Sequence, residues 1–159
     1  MTTNSNRRMS ARAKLDKPQE PKVVRVPPKM SRFGGSTMLI PTPKLVDELV
    51  RKIPKGKLAT VSELRRKLAT KFKADVTCPL TTGIFLRIAA EAAEEDRANG
   101  RKRVTPYWRV VKDDGALNPK FPGGVLEQAR SLKAEGFDSV MNGKTMRLKN
   151  FESRLINFK

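Results

Sequence analysis

The sequence predicts a mainly α-helical fold with a small β wing, of the winged helix-turn-helix type, behind a disordered basic tail. Three observations predict it. Apolar residues recur at helical spacing over 45–53, two helical segments between 61 and 95 are joined by a short turn, and an Asn-Gly pair separates two extended runs over 139–148. The 159 residues have room for one domain. The expected division is a tail over 1–36, the domain over 37–136 and a C-terminal β-hairpin extension over 137–159.

The first 33 residues have the composition of a disordered segment. They hold nine basic residues against Asp16 and Glu20, four prolines and few large apolar side chains. Such a segment serves either as a solubilising tail or as an arm that follows phosphates and adds salt-sensitive affinity. Composition alone leaves both alternatives open.

A first amphipathic helix is predicted after Thr42, which suits the N-cap, and Pro43, which suits the first helical position. The helix is expected to end at the Pro-Lys-Gly segment 54–56. The apolar positions that recur at helical spacing are Leu45, Val46, Leu49, Val50 and Ile53.

A pair of helices follows. Thr60 and Glu63 have the spacing of a capping box, in which each side chain satisfies the other's free backbone amide. The helix that they open has Leu64 and Leu68 on one face and basic residues on the other. After a turn, a second helix is predicted over 78–95, in the position of the recognition helix of a helix-turn-helix.

The C-terminal half contains short elements. Residues 104–111 are expected to be extended, and a helix is expected over 125–134. Residues 139–141 and 145–148 flank Asn142 and Gly143, a pair that suits a type I′ turn, so they predict a β-hairpin.

Composition favours a polyanionic partner. The 34 Lys plus Arg against 16 Asp plus Glu give a formal charge of +18, for which nucleic acid is the usual partner and an anionic membrane surface or the ribosome the competing ones. With no histidine and one cysteine, Cys78, the sequence excludes Cys/His zinc sites, histidine acid–base catalysis and an intramolecular disulfide. It has no apolar run near the ~20 residues of a membrane span and no recognisable secretory signal. We expect a cytoplasmic monomer with no metal, no cofactor and no membrane partner.

Several motifs in order along the chain resemble the C-terminal domain of the O6-alkylguanine-DNA alkyltransferases and their alkyltransferase-like relatives. Residues 53–64 resemble the family segment I-P-x-G-x-x-x-T-Y-x-x-L-A, and residues 79–92 stand where the family's recognition helix follows. Residues 105–111 resemble the active-site segment I-P-C-H-R-V-V. The resemblance spans roughly 44–136 and is completed by Asp114-Gly115, Gly123-Gly124 and Ala134-Glu135-Gly136 at matching spacing.

The resemblance implies that the groups of alkyl transfer are replaced. In the family a cysteine thiolate takes the alkyl group from a flipped guanine, primed by a histidine that a glutamate orients. Here Tyr107 stands at the cysteine position and Trp108 at the histidine position, and Glu135 matches the glutamate without a partner to orient. A phenol with a pKa of about 10 and an indole cannot form that relay. The chain is therefore expected not to be an enzyme, with Cys78 a structural residue rather than a substitute acceptor.

Two further family groups are replaced. The tyrosine that helps turn out the target nucleotide is Val61 here, and the arginine that fills the vacated stack aligns with Gly83, with Arg87 as a candidate substitute one turn later. Flipping a base needs something to offset the lost stacking, so these changes affect lesion recognition more than DNA binding. Alkyltransferase-like proteins, which bind alkylated DNA with an inert site, provide the precedent. Tyr107 and Trp108 either stack on a base or fill the former cavity as core.

The resemblance also assigns candidate site residues. DNA contacts are expected from the two helices and the basic loop, at Thr60, Ser62, Thr81, Thr82, Gly83, Arg87, Arg101, Lys102 and Arg103. A base pocket is expected from Tyr107, Trp108, Arg109, Pro122, Gly123 and Glu135.

The predicted function is that of a non-catalytic protein of the alkyltransferase-like type that binds duplex DNA through its helix-turn-helix. Sensing of alkylated bases and nonspecific architectural binding both fit this prediction. An RNA- or ribosome-associated basic protein is the alternative, and a residual alkyl acceptor through Cys78 is a third. The sequence specifies no repair-protein partner.

Overall fold

The computed structural model describes residues 9–158, and the longest element in it is helix α4 (Pro79–Ala98). Helices α1 (Ala11–Asp16) and α2 (Pro43–Arg51) both pack along α4. They approach it closely because the buried side chains of its C-terminal half are small. These are Ala89, Ala90, Ala92 and Ala93, all fully buried.

The two helices before α4 begin where local signals place them. Thr42 caps α2 by accepting a hydrogen bond from the Leu45 amide at 3.2 Å. Helix α3 (Val61–Lys71) is capped by Thr60, which accepts from the Glu63 amide at 3.2 Å. The Glu63 carboxylate forms an ion pair with Arg66 at 2.8 Å. The structure therefore contains the threonine half of the predicted capping box but not the glutamate half.

Three small sheets connect the helices. In the first, β2 (Thr37–Ile40) lies between an antiparallel β1 (Lys22–Arg25) and a parallel β4 (Val76–Thr77). In the second, β3 (Ala59–Thr60) pairs in parallel with β5 (Val110–Val111) and brings the start of α3 beside the segment that follows α4. The third is the hairpin of β6 (Ser139–Asn142) and β7 (Thr145–Leu148).

The predicted hairpin is confirmed, but its turn is not the predicted Asn142-Gly143 pair: Asn142 pairs with Thr145 at the end of β6, and the turn residues are Gly143, at a φ of +65°, and Lys144. The extended segment predicted over 104–111 is shorter, because a 3₁₀ turn at Tyr107–Arg109 precedes β5. Helix α5 (Gly124–Lys133) occupies the position predicted for a helix. Two further 3₁₀ turns are Pro28–Phe33 and Glu152–Arg154. Within the described residues, no helix is both long and apolar enough to cross a membrane.

The prediction of a disordered tail is wrong for residues 9–36. Ala11 and Leu15 of α1 are buried against Ala89 and Ala92 of α4. The Glu95 carboxylate accepts hydrogen bonds from the backbone amides of Ala11 and Arg12 at 2.8 and 2.9 Å. The partners that hold α1 lie more than 70 positions away in sequence, so its own composition could not reveal them, whereas β1 is held by the nearby β2. Residues 1–8 lie outside the described residues.

The C-terminal segment shares a core with the rest of the chain instead of forming a separate extension. Leu148 and Phe151 pack in one cluster with Leu58 and Leu132. The backbone of Leu58 donates to the Arg154 carbonyl at 2.9 Å and accepts from the Ile156 amide at 2.7 Å. The boundary expected at residue 137 is therefore not a structural boundary in the described part of the chain.

Replacing Leu15 tests the docking of α1. Leu15→Ala removes a side chain that is 3% exposed, and the cavity left behind should lower the free energy of unfolding by about 2–4 kcal/mol. Urea denaturation measures the change, with the exposed Lys14→Ala on the same helix as the control. A loss below about 0.5 kcal/mol for Leu15→Ala, the level of an ordinary surface substitution, would contradict a packed α1.

Candidate nucleic-acid interface

The N-terminal half of α4 presents an exposed apolar face next to basic side chains. Leu80 is 63% exposed and Ile84 is 50% exposed, one turn apart. Between them lies the exposed Gly83, where an added Cβ would meet no atom within 4 Å. These residues line a groove of about 360 Å³ whose other walls include Arg87, Lys112 and Lys120. Two exposed aliphatic side chains thus lie beside three cations. Such a surface is unusual for a helix that has no binding partner.

The two threonines of α4 differ from expectation. Thr82 is fully buried and donates its hydroxyl to the Cys78 carbonyl at 2.7 Å, so its expected role as a DNA contact is wrong. Thr81 is half-buried, with its hydroxyl 3.5 Å from the same carbonyl. Gly83 and Arg87 do lie at the surface, and Arg87 pairs with Glu91 at 3.0 Å.

Leu80 and Ile84 are surface residues that the sequence patterns did not single out, because they lie in a helix rich in apolar residues. The face that packs inward instead contains Thr82, Leu86, Ala89, Ala90 and Ala93. Those residues also recur at helical spacing. The small size of most of them was the feature of the sequence that could have indicated the inward face.

The N-terminus of α3 is occupied by a carboxylate from elsewhere in the chain. Ser62 donates its backbone amide to Asp113 at 3.2 Å and its hydroxyl to the same carboxylate at 2.5 Å. Thr60 is buried, and its hydroxyl oxygen caps the helix. The two residues expected to donate to phosphate are therefore both engaged within the protein, Ser62 with an anionic group in the position a phosphate would take.

Tyr107, which the resemblance aligns with an acceptor cysteine, is buried in the core. Its side chain is 3% exposed, and its ring packs edge-on against Trp108 and Phe121 with centroids 5.4 and 5.2 Å away. The hydroxyl donates to Glu94 at 2.7 Å. Burial raises the pKa of the phenol well above its usual value, and the hydrogen bond to Glu94 acts in the same direction. The phenol stays protonated at neutral pH and is core rather than the lining of an open pocket.

Glu135 has three partners, so the expectation that it lacks one is wrong. Trp108 donates its indole N–H to this carboxylate at 2.6 Å, which is the hydrogen bond that the resemblance assigns to a histidine. Arg109 donates Nε to both carboxylate oxygens at 3.0 and 3.1 Å, and the Gly56 amide donates at 3.0 Å. Arg109 also donates Nη1 to the Ile53 carbonyl at 2.7 Å. The Glu135 side chain is 6% exposed, so this is a buried, fully hydrogen-bonded ion pair.

The remaining pocket residues lie beside Tyr107 on the loop before α5. Phe121 contacts the Tyr107 ring, Pro122 is half-buried and Gly123 is exposed. Gly123 has a φ of +79°, and an added Cβ would lie 2.6 Å from Glu127, so only glycine fits there. The six residues expected to form a base pocket thus do not enclose one: Tyr107 is core, Glu135 binds Trp108 and Arg109, and Pro122 and Gly123 lie on the loop before α5.

A basic cleft lies at the other end of α4. It has a volume of about 660 Å³, and the expected DNA contacts Arg101, Lys102 and Arg103 line it together with Trp108. Its other cationic lining residues are Arg51, Arg97 and Arg109. Sequence reasoning predicted the basic loop and the tryptophan separately, and the structure brings them together on one surface.

Cys78 sits at the N-cap of α4 and is 4% exposed, in agreement with a structural cysteine. Among the described residues there is no group of three or more His, Cys, Asp or Glu side chains that could hold a metal ion.

Solved structures share this fold. S. pombe Atl1, in complex with damaged DNA containing O6-carboxymethylguanine, matches with a TM-score of 0.50 at 17% sequence identity, covering 72% of this chain and 94% of that chain. S. pombe ATL in complex with DNA matches with a TM-score of 0.51 at 16% identity and the same coverage. The chain has the fold of these proteins. A scan of family models and a search of curated proteins found no match.

Tyr107→Phe should remove a specific dependence of stability on pH. Because the phenol has a higher pKa in the folded protein than the value of about 10 in the unfolded chain, it stabilises the fold below pH 10 and loses that contribution as the pH rises above 10. Urea denaturation at pH 7 to 11 should show a decline for the wild type that is shallower in Tyr107→Phe. At pH 7 the variant should lose about 1 kcal/mol with the bond to Glu94. Equal slopes above pH 10 would contradict a buried, protonated phenol.

Glu135→Gln should destabilise the protein by about 3–5 kcal/mol, because it leaves the guanidinium of Arg109 buried without its counter-ion. Urea denaturation measures the change. Glu127→Gln is the matched control, since Glu127 lies on α5 with a half-exposed side chain whose pair with Arg130 is 3.7 Å long. The control should change stability by less than about 0.5 kcal/mol. Similar losses in both variants would contradict a central role for Glu135.

Proposed function

We propose that this protein is a non-catalytic DNA-binding protein of the alkyltransferase-like type, which binds duplex DNA through the N-terminal half of α4. The observation that carries the proposal is the exposed face of Leu80, Gly83 and Ile84 next to Arg87, Lys112 and Lys120. This face belongs to a fold shared with S. pombe Atl1, whose structure contains damaged DNA.

In this proposal the fold is a winged helix-turn-helix. Helix α3 is the first helix, α4 is the recognition helix, and the β6–β7 hairpin is the wing. The missing side chain at Gly83 lets a DNA backbone or base edge come close to the helix axis. Apolar side chains such as Leu80 and Ile84 contact base edges and sugars in a minor groove, and the flanking cations contact phosphates.

The charge of the chain supports a nucleic-acid partner. A formal charge of +18 creates a field that attracts polyanions and accelerates association. Each phosphate that a lysine or arginine neutralises releases counterions, so affinity is expected to fall steeply with salt. RNA shares this electrostatic attraction, and duplex RNA therefore belongs in the test as a competitor.

Absence of alkyl transfer follows from the chemistry at Tyr107. Transfer requires an anionic nucleophile facing the target base, and the phenol here is buried and protonated. The sequence contains no histidine to remove its proton. Cys78, the one thiol, is 4% exposed beneath the first turn of α4.

Sensing of alkylated bases is the second candidate function, favoured by the O6-carboxymethylguanine in the DNA of the S. pombe Atl1 structure. For this protein it would require the loop 121–123 or the Tyr107 ring to move, because the acceptor position is packed. The proposal is therefore duplex binding first, with lesion preference as a separate property to measure.

Fluorescence anisotropy with two otherwise identical duplexes, one of which carries a single O6-methylguanine, tests both functions at two salt concentrations. Markedly tighter binding to the lesion would assign damage sensing. Equal, salt-dependent binding would assign lesion-independent duplex binding. Negligible binding to either duplex at moderate salt, with tighter binding to duplex RNA, would overturn the DNA proposal.

Gly83→Glu should weaken duplex binding without unfolding the protein. The new side chain points into open space and adds a negative charge at the proposed contact, so affinity should fall at least about 10-fold. Stability should be unchanged or higher, since glycine within a helix costs about 1 kcal/mol relative to alanine. Gln19→Glu, at an exposed position of the N-terminal segment, makes the same charge change as a control and should alter affinity less than about 2-fold. Equal losses in the two variants would show that net charge alone governs binding.

A further inference from the structure

The basic cleft lies apart from the face proposed for duplex DNA. Arg97 and Gly83 are 14 positions apart on α4, so the two surfaces are separated by about 20 Å along the helix at 1.5 Å per residue. The cleft is formed by the end of α4, the loop 101–104 and the segment 106–109, together with Arg51 of α2. It has a separate lining from the groove at Leu80, with which it shares no residue.

Carboxylates behind the cleft hold its arginines in place. Asp47, Asp96 and Glu135 have side chains that are each 6% exposed, and they pair with cations of the cleft. The pairs are Arg51–Asp47 at 2.9 Å, Arg101–Asp96 at 4.0 Å, Arg109–Glu135 at 3.0 Å and, with a more exposed acid, Arg97–Glu94 at 3.4 Å. No acidic residue is among the described residues that line the cleft. The cations therefore border the cavity and the anions lie beneath them, an arrangement already oriented for an anionic ligand.

Two cations of the loop have no such carboxylate. Lys102 and Arg103 are both exposed and line the cleft, and neither forms an ion pair within the described part of the chain. Their charges are not offset locally, so they contribute most of the net positive potential at the mouth of the cleft.

Trp108 provides an aromatic surface among these charges. Its ring is half-buried and lines the cleft, with the guanidinium carbons of Arg97 and Arg109 at 5.5 and 5.6 Å from its centroid. Arg109 is fixed by the buried Glu135, whereas Arg97 is 51% exposed and its pair with the partly exposed Glu94 is 3.4 Å long, so a ligand can displace its side chain. A flat group can then reach the indole from the solvent.

We propose that this cleft binds a single strand of nucleic acid, as a site separate from the duplex-binding face. A positively charged groove with an aromatic side chain is the arrangement by which proteins hold single strands, since phosphates follow the cations and bases stack on the ring. The bases of a duplex are already stacked on each other, and an indole recessed in a cleft cannot reach their faces. The ring and the charges together therefore fit an unpaired strand better than a duplex.

Trp108 is the one tryptophan of the chain, so its fluorescence reports directly on the cleft. The experiment titrates the full protein with oligothymidylate or oligouridylate and follows that fluorescence, with inorganic tripolyphosphate as a competitor that carries phosphates without bases. We expect saturable quenching by a strand and its reversal by tripolyphosphate. The two strands distinguish DNA from RNA as the source of the ligand.

The variant Lys102→Ala/Arg103→Ala should weaken the strand about 10-fold and lower the slope of log affinity against log salt by about 1.4, at ~0.7 per lost phosphate contact. Both residues are exposed loop positions, so the fold should be retained. Lys22→Ala/Lys29→Ala removes the same charge from exposed positions outside the cleft and should change affinity less than about 2-fold.

Absent quenching, or equal losses in the two double variants, would overturn the proposal, and binding of tripolyphosphate without binding of a strand would overturn the assignment to nucleic acid. Duplex affinity is measured separately by anisotropy. If the wild-type protein binds the single strand but not the duplex, that result would contradict the proposed duplex-binding function and leave the single-strand site standing.

Discussion

The carboxylate of Glu135 ties together three segments that are distant in sequence. It accepts hydrogen bonds from the Gly56 amide, the Trp108 indole and the Arg109 guanidinium, and Arg109 continues the network to the Ile53 carbonyl. The end of α2, the 3₁₀ turn after α4 and the end of α5 thus meet at one buried charge. Its cost of burial is offset only because all of these donors converge on it, so the positions of Tyr107 and Trp108 both depend on this one group.

Tyr107 and Trp108, neighbours in the chain, each donate a hydrogen bond to a carboxylate. The indole N–H donates to Glu135, and the indole, unlike an imidazole, cannot take up a proton in exchange. The phenol packs next to the indole and donates its hydroxyl to Glu94. Both aromatic side chains thus have a partner for their polar atom, so neither leaves a buried polar group unpaired.

The sequence was informative where signals are local and misleading where partners are distant. The caps at Thr42 and Thr60 and the existence of the hairpin depend on neighbouring residues and were predicted correctly, although its turn lies one residue later than predicted, at Gly143-Lys144. The order of α1 depends on Glu95 and the alanines of α4, which composition over a short window does not include. For the site, the residue types were predicted but their environments were not. The exposure of Leu80 and the partners of Glu135 and Ser62 follow only from how remote segments pack.

Helix α4 is a single rod of 20 residues, about 30 Å long, that carries the apolar face at one end and the basic cleft at the other. The alanines along its middle pack against α1 on one side and α2 on the other, so the helix has little freedom to bend. Ligands held at its two ends would keep a fixed spacing and a fixed angle. The helix would then set the distance between a bound duplex and a bound unpaired strand. It would favour branched or partly opened nucleic acids whose two arms are separated by that distance.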